Sequence, residues 1–99
     1  MGIVKGSDAG VRIVLYPPYS TIAGRKEVFL EVSDRATVLE VFKRLVQEYP
    51  ALSQHFFPGG SEYDFPGYAS ILRSGKPLKA EDVLKHDDVI EVIAALTGG

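Results

Sequence analysis

"TVLEVFKRLVQEYP", Thr37 to Pro50, is the part of the chain from which the rest can be read. Val38, Val41, Phe42, Leu45 and Tyr49 recur at helical spacing and lay one apolar stripe along a helix. Thr37 and Glu40 stand as N-cap and N3 of a capping box, and Pro50 cannot continue the ladder, so both ends are marked. A single amphipathic helix needs an apolar surface to lie on. In a chain of 99 residues, 45% of them hydrophobic, that surface has to be one sheet in one domain.

Outward from the helix, the flanks supply strands. "VRIVLY" (Val11 to Tyr16) is a β-branched apolar run stopped by Pro17 and Pro18, which reads as a buried strand. After a turn at "STIAGRK", "EVFLEV" sets Val28, Leu30 and Val32 on one face with Glu27, Phe29 and Glu31 on the other, and pairs with the first strand as a hairpin. On the far side of the helix, Ala51 to Phe56 predicts a short helix, followed by a loop rich in Gly, Pro and aromatics that its own rings tack to the core. "ASILRS" predicts a strand, "GKPL" a turn into a short extended piece, and Glu81 to Leu84 a single helical turn. In "DVIEVIAAL", Ile90, Val92 and Ala94 share one face of a closing strand and Glu91 sits on the other.

Composition excludes several classes of function. Eleven basic against thirteen acidic residues leave a net charge of -2, with no polybasic stripe for nucleic acid. With no cysteine there is no disulfide framework, thiolate nucleophile or Cys-based zinc site. No apolar run approaches the roughly 20 residues of a membrane span, and "MGIVKGSDAG" has neither the apolar stretch nor the cleavage site of a signal peptide. The expectation is a cytoplasmic protein with a flexible leader at residues 1–10, a domain at 11–96 and a flexible tail at 97–99.

The order strand, strand, helix, strand, short strand, strand predicts an α+β fold of β-grasp type, a mixed sheet packed on one main helix. The hairpin, the "GRKEVFLEV" lead into a Thr-capped helix, the turn with Leu84 and Asp88, and the final Gly98-Gly99 occur in this order in the ubiquitin-like β-grasp sulfur carriers. Over about residues 11–99 the chain resembles that family, and within it the small subunit of molybdopterin synthase. It departs in having Ser74-Gly75 where relatives often carry Asn-Gly, Asp87 where they commonly carry Gly, and "AALTGG" without an aromatic-and-proline lead.

The resemblance gives the tail a chemistry. Two glycines cannot build a core, and a loose chain end would read the same way. In the family, however, the terminal carboxylate, here that of Gly99, enters another enzyme's active site and attacks the α-phosphate of ATP to become an acyl-adenylate. Gly98 and Thr97 would thread a narrow channel that bulkier side chains would block. The implied partners are a ubiquitin-activating-type adenylyltransferase, which uses the ATP, and the large subunit of molybdopterin synthase or another sulfur acceptor. A ubiquitin-like modifier joined through Gly99 to lysines of target proteins is the alternative, and an interaction domain without activation is a third. No intrinsic cofactor, metal or self-contained active site is expected.

Other candidate chemistry is thin. His55 and His86 stand alone, Asp87-Asp88 reads as a turn, and "PGG" at Pro58 to Gly60 lacks the Lys and helix of a phosphate loop. Tyr16, at a position that relatives turn toward partners, together with Ile93 and Leu96 beside the tail, forms the expected partner interface.

Overall fold

The computed structural model describes residues 10–95. The leader before Gly10 and the tail calls at Leu96, Thr97, Gly98 and Gly99 lie outside the described residues. The strands are β1 (Gly10–Leu15), β2 (Glu27–Glu31), β3 (Ala69–Arg73), β4 (Lys76–Pro77) and β5 (Val89–Ala94); the helices are α1 (Tyr19–Ala23), α2 (Val38–Glu48) and α3 (Ser53–Phe56). The sheet order is β2-β1-β5-β3-β4. β1 pairs antiparallel with β2 and parallel with β5, which makes the sheet mixed and places β5 at its centre. Among the described residues, no helix is long and apolar enough to cross a membrane.

α2 forms where its sequence directs. The Thr37 hydroxyl accepts from the Glu40 amide at 3.1 Å and the Glu40 carboxylate accepts from the Thr37 amide at 2.9 Å, completing the capping box. The amides of Val38 and Leu39 donate to the carbonyls of Asp82 and Ala80, so the distant 80–84 segment finishes the cap. That segment corrects the helical turn expected at Glu81 to Leu84: Val83 instead forms an antiparallel bridge with Thr37. Extended backbone there lets Leu84 donate to the Ala36 carbonyl and bury its side chain.

The core is the contact between the apolar stripe and one sheet face. Val38, Val41, Phe42 and Leu45 are buried with Val11, Ile13, Val28, Leu30, Ile71, Ile90 and Val92, and no polar or charged side chain among the described residues is buried with them. A second apolar layer extends from it. Tyr19 stacks on Phe56, Phe56 meets Phe42 edge-on, and Phe42 reaches Phe65, which stacks on Phe57. These rings hold down the 50–68 segment, as expected, with Phe56, Phe57 and Phe65 doing the packing, while Tyr63 and Tyr68 project into solvent. Gly67 closes the segment at φ 68°, where a Cβ would stand 2.2 Å from the His55 carbonyl oxygen. Lys43 on α2 is ion-paired with Glu62 of the same segment.

Two boundaries move. The stretch read as a turn after Pro18 is the helix α1, because Tyr19 buries its ring against Phe56 and thereby fixes the backbone around it. The expected leader of residues 1–10 loses its last residue, since Gly10 opens β1 opposite Glu31. The turn chemistry holds: Ser74 and Gly75 take φ of 54° and 79° between β3 and β4, and Asp87 takes 75° before β5.

Candidate functional site: the open sheet face

Period-two alternation leaves the second face of the sheet without a helix. It presents Glu27, Phe29 and Glu31 from β2, Arg12 and Val14 from β1 with Tyr16 just beyond its end, Val89, Glu91 and Ile93 from β5, and Ser70 and Leu72 from β3. Phe29 and Val89 are 44% and 47% exposed, whereas Ile13, Leu30, Ile71, Ile90 and Val92 on the inner face are buried. These exposed apolar side chains share the surface with the charged Arg12, Glu27, Glu31 and Glu91.

The end of this face nearest the tail has a defined geometry. The Tyr16 amide donates to the Val92 carbonyl, which sets Tyr16 beside Ile93; Ser70 faces Ile93 from β3. The Ala95 amide donates to the Tyr68 carbonyl at 2.7 Å, the last described backbone tie before residues 96–99. Tyr16 and Tyr68 therefore stand on either side of the end of β5. Tyr16 is 40% exposed and not roofed by the proline loop: Val14, Pro17, Ser20 and Lys26 line an open notch of about 380 Å³ around it.

The centre of the face is polar. The Tyr16 hydroxyl donates to Glu91 Oε2 at 3.0 Å. Accepting that bond, the Glu91 carboxylate pushes the Tyr16 phenol above its ordinary 10.0, through the hydrogen bond first and its negative charge second. On the same face Arg12 lies 3.9 Å from Glu27, and the remaining ionic contacts lie away from it. Asp88 accepts from Arg73 and from the Lys85 amide, both at 2.8 Å, and so pins the turn before β5. His86 contacts the Val32 carbonyl at 3.1 Å, and His55 meets Tyr19 edge-on; both are local ties. Among the described residues there is no cluster of three or more metal-ligating side chains.

Of the expected interface, the structure brings Tyr16 and Ile93 together; Leu96 lies outside the described residues. Val14, Phe29, Tyr68, Leu72, Val89 and Glu91 were not singled out for this face. The signal was present in β5, where Val89 and Ile93 place apolar groups on the face opposite Ile90 and Val92, so that the strand is apolar on both sides.

Neither a family profile nor a curated protein matches the sequence. Solved structures do. Small archaeal modifier protein 1 from Methanosarcina acetivorans superposes with a TM-score of 0.75 at 28% identity, covering 92% of this chain and 97% of that one. SAMP1 from Haloferax volcanii gives 0.76 at 24% identity, covering 91% and 99%. A putative molybdopterin converting factor, subunit 1, from Pyrococcus furiosus gives 0.73 at 19% identity, covering 89% and 99%. With its mixed five-stranded sheet laid across α2, the chain is a ubiquitin-like β-grasp protein whose structural neighbours are small archaeal modifiers and a molybdopterin converting factor subunit.

Proposed function

We propose that this protein is a ubiquitin-like sulfur carrier or modifier that acts through the carboxylate of Gly99. The observation that carries the reading is the position of β5: the central strand of the sheet ends at Ala94, on the edge of the open face, and the sequence runs from there to Gly98-Gly99 within five residues. In the first step a carboxylate oxygen of Gly99 attacks the α-phosphorus of ATP, bound by an adenylating partner, and pyrophosphate leaves. In the second, a sulfide equivalent attacks the acyl-adenylate carbon and AMP leaves, giving a thiocarboxylate. The sulfur is then passed to an acceptor, in our reading molybdopterin synthase acting on the dithiolene precursor of the molybdenum cofactor. The chain's own part is to present a slim backbone and a docking face; the phosphoryl chemistry belongs to the partner.

A second reading is favoured by the name of the 28% identical neighbour, a small archaeal modifier protein. There a lysine amine, in place of sulfide, displaces AMP and forms an isopeptide bond. Two mass measurements on material from the protein's own cell separate the two: replacement of one oxygen by sulfur in the intact protein identifies the carrier, and the tryptic remnant of residues 86–99, cut after Lys85, on lysines of other proteins identifies the modifier. Gly98→Trp should leave the melting temperature unchanged while abolishing ATP–pyrophosphate exchange by the organism's adenylating enzyme. Undiminished exchange by that variant would sink the threading argument.

A further inference from the structure

We infer that the partner engaging Gly99 carries a lysine or arginine that pairs with Glu91 at the centre of the open sheet face. The inference rests on the proposed function above and names the chemistry of its partner. Glu91 sits on the central strand with Val14 opposite it on β1, Leu72 opposite it on β3, and Val89 and Ile93 on either side along β5. All four neighbours are apolar. The carboxylate accepts one hydrogen bond, from Tyr16, and no lysine or arginine nitrogen among the described residues pairs with it. Arg12, on the same face, is turned to Glu27 at 3.9 Å.

Chain length keeps the partner close to this surface when Gly99 is used. Gly99 is only the fourth residue after Ala95, and four residues span the distance. Fully extended they reach about 14 Å. An active site that holds the Gly99 carbonyl therefore lies within that reach of the end of the sheet formed by Tyr16, Ile93 and Tyr68, and Glu91 joins that end through the Tyr16 hydroxyl. A partner apolar enough to match Val14, Leu72 and Ile93 strips water from the carboxylate between them. A desolvated carboxylate without a cation is strongly unfavourable, whereas a charge-assisted bond from a partner Lys or Arg offsets that loss and fixes the register. The Tyr16 hydroxyl, which occupies Oε2, holds the carboxylate in place with Oε1 left to accept from the partner.

The test is ATP–pyrophosphate exchange by the organism's adenylating enzyme, titrated with the full-length chain. Wild-type protein should support exchange, with a KM that rises as salt is added. Glu91→Gln should raise KM about tenfold and flatten its salt dependence, Glu91→Lys should raise it about 100-fold, and kcat should stay unchanged in both. Tyr16→Phe, which keeps the ring, should raise KM about threefold. Unchanged KM for folded Glu91→Lys, with exchange by wild-type protein intact, overturns the inference and leaves the proposed function standing; absence of exchange by wild-type protein removes both. Sedimentation gives the other arm: a wild-type dimer that Glu91→Lys dissociates would assign the face to a second copy of this chain and overturn the inference.

Discussion

The two faces of the sheet are built from the same strands, yet they have opposite chemistry. Toward α2, Ile13, Leu30, Ile71, Ile90 and Val92 are at most 2% exposed, and among the described residues no charged side chain is buried with them. Away from α2, Val14, Phe29, Leu72, Val89 and Ile93 share the surface with charged residues, and Glu91 and Tyr16 form a hydrogen bond in their midst. A face that folds the chain excludes ions because they cost free energy there at all times. A face that docks can keep an ion solvated until a partner supplies its counter-charge. The contrast separates residues that hold the domain together from residues that it displays.

The sharpest attack on this contrast is Phe42→Ala. Phe42 is fully buried and meets Phe56 and Phe65 at centroid distances of 5.0 and 5.3 Å, so it joins the sheet core to the aromatic layer. Truncation should destabilise the protein by about 3–5 kcal/mol in urea unfolding. A cost below that of an ordinary surface change would mean that the stripe of α2 does not organise the core.

Next in size is Thr37→Ala, which removes the acceptor for the Glu40 amide and should cost about 1 kcal/mol. Because Val38 and Leu39 still donate to Asp82 and Ala80, the helix should keep its far-ultraviolet circular dichroism. Loss of helix signal would show that the side chain, and not the 80–84 segment, holds the N-terminus.

Alkaline unfolding probes the boundary of the core. Burial raises the Tyr19 phenol above 10.0, so above that pH the unfolded chain loses a proton that the folded chain retains. The stabilising contribution is complete below 10.0 and is lost as pH rises through the raised folded value. Tyr19→Phe should flatten the fall in melting temperature over that window; an unaltered slope would place the titration elsewhere.

The smallest expected effect belongs to the open face. Val89→Thr, at a site 47% exposed, should change stability by no more than about 0.5 kcal/mol in the same urea unfolding experiment. A change as large as that of Phe42→Ala would erase the distinction between the two faces.

Much of the fold was legible locally. The capping box, the helical stripe, Pro50, the alternation of β2 and the Ser74-Gly75 turn each act through neighbours a few residues away, and each is found where the sequence put it. The site was legible only in part. Tyr16 and Ile93 could be named from the resemblance and from strand alternation. Glu91 could not be given a role, because its significance lies in Val14 and Leu72 standing on either side of it.

What the sequence alone determined, then, is the type and phase of the main elements: which residues of α2, β1, β2 and β5 turn inward follows from periods of 3.6 and 2. What only the tertiary structure decided are the long-range choices. Tyr19 makes a helix of an apparent turn by stacking on Phe56, Val83 bridges Thr37 in place of a helical turn, and Phe56, Phe57 and Phe65 turn inward while Tyr63 and Tyr68 turn out. In these segments local preference is weak and the alternatives lie close in energy, so contacts with residues distant in the chain select the conformation.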